Sequence, residues 1–150
     1  MKKHDHWHTR KFDPFLRERE KMPFAWGTND CALFAADAIL ANTGIDIAAD
    51  FRGKYTTQLG ALRTIQEVTG GTSVADAAAY CANKHGLLEH THPLLAKRGD
   101  LVVIENDENL IAGVVHLNGF HVISVSEKGL VRLPMADANG KPNVVRGWSI

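Results

Sequence analysis

The feature that most constrains this fold is a change of hydrophobic period part-way along the chain. Up to about residue 90, apolar residues recur at helical spacing; from Leu101 onward they fall in short runs of the kind that make strands. Asp13-Pro14 reads as an N-cap and first helical position, opening a short helix from Phe15 that Pro23 ends. Cys31 to Asn42 is almost wholly apolar, with Thr28, Asn29 and Asp30 as candidate caps and Gly44 as the stop, so it reads as a buried central helix. Leu59, Leu62, Ile65 and Val68 mark a third helix closed by Gly70-Gly71, and Ser73 opens a fourth that stops near Gly86.

In the second half, Leu101 to Ile104, Ile111 to Leu117, Phe120 to Ser126, Leu130 to Leu133 and Val144 to Trp148 read as strands with no helix between them. Parallel pairing needs long crossovers, so the strands are expected to form an antiparallel meander. The class is therefore α+β, in a single domain spanning residues 1–150. Residues 1–12 are expected to be a flexible segment. Asn118-Gly119 is the strongest turn signal, fitting a two-residue loop with positive φ at both positions. That loop sets His116 opposite His121 on one sheet face, together with Val114, Ile123 and Val125. The other face carries Val115, Leu117, Phe120 and Val122, so both faces are expected to be covered.

The formal net charge is zero, so no global field draws the chain to nucleic acid or acidic membranes. No stretch is long enough to span a bilayer, and the basic, histidine-rich start lacks the apolar run of a secretory signal. Cytoplasmic synthesis is expected, with association to a virion left open. Metal binding by His4, His6 and His8, or by His90 and His92, lacks the spacing of a defined zinc site. The glycines form no phosphate-binding loop, and no cofactor is expected.

Of the two cysteines, Cys81 repeats with Val74, Ala77 and Ala78 on one helix face and reads as core. Cys31 is different. It stands at the first turn of the apolar helix, where unpaired N–H groups and the positive end of the dipole favour a thiolate. Asp30, immediately before it, opposes that effect if its carboxylate turns toward the sulfur. A nucleophile there also needs a base, usually a histidine brought from elsewhere in the fold.

The segment Phe24-Ala25-Trp26-Gly27-Thr28-Asn29-Asp30-Cys31-Ala32-Leu33-Phe34, followed by Arg98-Gly99-Asp100-Leu101-Val102-Val103 and a β meander, resembles the NlpC/P60 superfamily of papain-like cysteine hydrolases. More narrowly it resembles a phage- and prophage-associated branch of unknown function, through Thr43-Gly44-Ile45-Asp46, Gly129 to Pro134 and Arg146-Gly147-Trp148 as well. The resemblance implies a papain-like α+β fold, N-terminal helices on an antiparallel sheet. It implies an amidase or endopeptidase of peptidoglycan peptides, with Cys31 as nucleophile and N–H groups near the helix start as oxyanion donors.

For the base, two alignments stay open. Matching the family's His-Val-Gly-Ile pattern by its own form selects His121, with His116 beside it as orienting group or alternative base. Matching by spacing back from Gly129 sets Ile111-Ala112-Gly113-Val114 on the pattern and replaces the base with Ile111. In the first alignment the third residue falls near Arg132 or Leu133, neither of which accepts from an imidazole N–H. The alternative function is a non-enzymatic scaffold, a phage tail structural or assembly component whose partners are other tail proteins.

Overall fold

A computed structural model describes all 150 residues. Four α-helices, α1 (Asp13–Arg19), α2 (Cys31–Thr43), α3 (Gln58–Thr69) and α4 (Val74–Lys84), precede five strands, β1 (Leu101–Asn106), β2 (Asn109–Val115), β3 (His121–Ser126), β4 (Gly129–Pro134) and β5 (Val144–Trp148). The sheet is antiparallel throughout, in the order β4-β3-β2-β1-β5. The α+β class expected from the change of period is the one observed. No helix is long and apolar enough to cross a membrane.

Local chemistry explains the element ends. The Asp30 carboxylate accepts from the Leu33 N–H at 3.0 Å and starts α2, and Gly44 stops it in a left-handed conformation at φ 80°. Thr57 caps α3, and Ser73 and Asp76 form a reciprocal capping box on α4. Ahead of α1 the reading needs correcting. Asp13 is itself helical, because a wide π-helical turn at His8–Phe12 runs directly into the helix. A wider turn ahead of Pro14 suits a ring that an α-turn would press against the carbonyl four residues back.

Residues 1–12 make several contacts with the rest of the chain. Phe12 is fully buried, the His4 N–H donates to the Asn42 carbonyl at 2.7 Å, and the Lys3 ammonium donates to the Ile150 carbonyl at 2.6 Å.

One sheet face, carrying Leu101, Val103, Ala112, Val114, Ile123 and Val125, shares the main core with the helices. The other, carrying Val102, Ile104, Val115 and Val122, packs with Val144 and with Ala96 and Met135 from the connecting segments. Both faces are covered, although Phe120 stands 75% exposed at the hairpin tip. The β2–β3 register follows expectation: Val114 pairs with Ile123 and Val115 with Val122, and the His116 N–H donates to the His121 carbonyl at 2.8 Å. The turn itself differs. Only Gly119 has positive φ, and the Asn118 side-chain oxygen takes up the N–H groups of Phe120 and His121, so the loop is wider than two residues. The tight two-residue turn lies instead between β1 and β2, where Asp107 and Glu108 both have positive φ, 51° and 67°.

Candidate functional site

The segment before Cys31 is shaped by its own side chains. Gly27 sits at φ 85°, and a Cβ there would lie 2.1 Å from the Tyr55 carbonyl oxygen, so only glycine fits. The Asn29 amide donates to the Pro23 carbonyl at 3.0 Å and its oxygen accepts from Arg19 at 3.2 Å. Asp30 is buried and does three things at once: besides capping α2, it accepts from the Gly27 N–H at 2.9 Å and from the Tyr55 hydroxyl at 2.7 Å. Burial, then the charge and hydrogen bond of Asp30, hold the Tyr55 hydroxyl well above its usual range and so protonated.

Farther along α2, Asp37 anchors the same loops. It pairs with Arg19 at 2.7 Å and with Arg52, which also reaches Asp46 at 2.7 Å. The sequence reading passed over this network and over Tyr55. Its signal was present as a lone carboxylate inside an apolar helix, because a charge there needs a partner. Asp100 of the Arg98-Gly99-Asp100 segment is likewise a tie. It is fully buried and accepts from the N–H groups of Lys97 and Ile150, each at 3.0 Å, and lies 2.8 Å from His90 Nε2.

Cys31 opens onto a cavity of about 610 Å³, within the usual range for ligand sites and lined mainly by apolar side chains. Its walls come from α2, α3, α4 and the segment Ile47 to Gln58; its mouth is lined by exposed residues of the β1–β2 and β3–β4 turns and by Gln58 and Leu62 of α3. Cys81 lies on the same wall system, so both thiols face one space. Burial pushes the Cys31 thiol up to about 11, with the Asp30 charge adding to the rise and the nearby N–H of Ala112 opposing it. Burial likewise pushes Cys81 up to about 12. The helix start therefore does not produce a thiolate here; desolvation outweighs it.

None of the eight histidines lines this cavity. His121 opens β3, whereas the residues of that strand at the cavity, Val125 and Ser126, close it. Four steps of extended chain separate His121 from Val125, roughly 13 Å at the rise of a strand. His121 instead meets the Asn118 amide at 2.9 Å, and His116 lines a separate pocket of about 330 Å³ with Arg132, Arg17 and Glu20. Burial and the neighbouring Arg132 charge lower the His116 pKa, favouring its neutral form. The structure thus brings His116 and His121 together, as their register required, but at the end of β3 away from the residues that line the Cys31 cavity. Of β2, Ala112 lies against the thiol through its backbone N–H, and its side chain cannot take a proton.

No group of three or more His, Cys, Asp or Glu side chains is arranged to hold a metal ion. Comparison with protein families matches residues 2–144 to a family described as a domain of unknown function, DUF6950. Neither the curated proteins nor the solved structures contain a match.

Proposed function

We propose, for a chain that belongs to the DUF6950 family and so inherits no described activity, that the cavity is a binding site on a non-hydrolytic, NlpC/P60-like scaffold. In this reading the protein serves as a structural or assembly component of a phage or prophage tail, a setting that comes from the sequence resemblance alone. One observation carries the non-catalytic part: the cavity that holds Cys31 is lined by no imidazole. A thiol at about 11 is ionised to only about one part in ten thousand at pH 7, far too little to compensate for the missing base.

The competing reading, a cysteine amidase of peptidoglycan peptides, is favoured by the place of Cys31 at the first turn of α2 facing a ligand-sized cavity. Alkylation separates the two. Under the binding-scaffold reading, iodoacetamide reacts with Cys31 in a Cys81→Ala background at a rate that climbs with pH toward about 11, and a His121→Ala substitution leaves the profile unchanged. A rate plateau near neutral pH, or release of stem peptides from peptidoglycan that a Cys31→Ala variant abolishes, overturns it.

A further inference from the structure

The cavity is apolar in its depth and charged at its entrance. Leu33, Ala36, Phe51, Ala77 and Ala78 form buried walls, while Asp107, Glu108 and Glu127 stand exposed at the mouth with Lys128 as the one cation among them. None of these four makes an ion pair within the protein. Three carboxylates against one ammonium leave an excess of two negative charges at the rim. Glu108 is moreover held at φ 67°, a conformation that a side chain of its kind seldom adopts, so the turn keeps this carboxylate at the entrance at a local cost.

We propose that this cavity takes an elongated apolar ligand bearing a single cationic group, of the long-chain alkylammonium type. The chain lies between α2, α4 and the sheet, and the ammonium rests between the β1–β2 and β3–β4 turns. Two physical requirements select this class. Apolar walls gain by removing hydrocarbon from water, and the buried part of the lining offers a polar body little beyond the two weakly donating thiols, since the Tyr55 hydroxyl is already bonded to Asp30. A rim with excess negative charge attracts a cation and repels a carboxylate, which disfavours a fatty acid of the same length.

The inference rests on reading the cavity as a binding site. Release of stem peptides would undo that reading, whereas failure to bind an alkylammonium undoes only the ligand class.

The test compares three probes of one chain length, dodecylammonium, dodecanol and dodecanoate, by calorimetric titration of the full chain below their aggregation limits. The expected order is ammonium, alcohol, carboxylate, with the ammonium favoured over the carboxylate at least about tenfold, or ~1.4 kcal/mol. Raising the salt to about 1 M should shrink that preference, because the rim is exposed. A combined Asp107→Asn, Glu108→Gln, Glu127→Gln variant should lose the preference while still binding the alcohol. Ala77→Leu, which places three further carbons in the cavity, should abolish binding of all three with its thermal transition retained. Absence of binding by every probe, equal affinity for the charged probes, or binding untouched by Ala77→Leu in a folded protein would each overturn the assignment.

Discussion

At the scale of single residues, the Trp26 to Cys31 segment shows a motif whose members serve mainly to shape one loop. Gly27 permits the close approach to Tyr55, Asn29 clamps the chain to Pro23 and Arg19, and Asp30 caps α2. The cap was legible from the sequence, because an aspartate ahead of an apolar helix has few other uses. The ionisation of Cys31 was not. It depends on how much protein surrounds the sulfur, which only the packed fold decides. That packing has a measurable result in alkali. Between the ordinary thiol value of 9.0 and about 11, the folded protein retains a proton on Cys31 that the unfolded chain releases, so stability falls as pH rises through that window. The loss approaches about 1.4 kcal/mol per pH unit for each fully shifted thiol. Urea midpoints taken from pH 8 to pH 10.5 should decline less steeply in Cys31→Ala than in the parent, and least in the variant lacking both cysteines. Parallel slopes in all three would mean the thiols titrate as in the unfolded chain.

At the scale of elements, hairpin geometry was readable where it followed from pairing and obscure where it followed from strain. The His116–His121 register came from the position of Asn118-Gly119, and it holds even though the turn is wider than two residues. The tight turn at Asp107-Glu108 gave no such signal, since glutamate is a poor choice for a left-handed conformation. Glu108→Gly converts it to an Asp-Gly turn. Relief of roughly 1–2 kcal/mol of strain, offset by the greater freedom of glycine in the unfolded state, leaves a net gain of about 0.5–1 kcal/mol. For a domain of this size that is an upward shift of about 1–4 °C in the thermal midpoint, measurable by calorimetry. A downward shift would show that the Glu108 side chain contributes more than its backbone costs.

At the scale of the whole molecule, the sequence disclosed the two halves but not how they meet. Helical and strand periods are local properties, and they returned the class and the order of elements. Which end of the sheet receives the start of α2 is a long-range outcome. It depends on packing against Ala112 and Val114 and on the Arg19–Asp37–Arg52 network, and it separates Cys31 from His121. The strand order carries one further consequence, which is kinetic. Three of the four pairings, β1 with β2, β2 with β3 and β3 with β4, join neighbours through short turns; β5 must return past the whole meander to the free edge of β1. Closing a longer loop costs more chain entropy before any contact rewards it. In pulse-labelled hydrogen exchange during refolding, amides of β2 and β3 should therefore gain protection ahead of those in Val144–Trp148. Simultaneous protection would point to a nucleus that already includes the returning strand, and to a sheet that assembles from its edge as readily as from its hairpins.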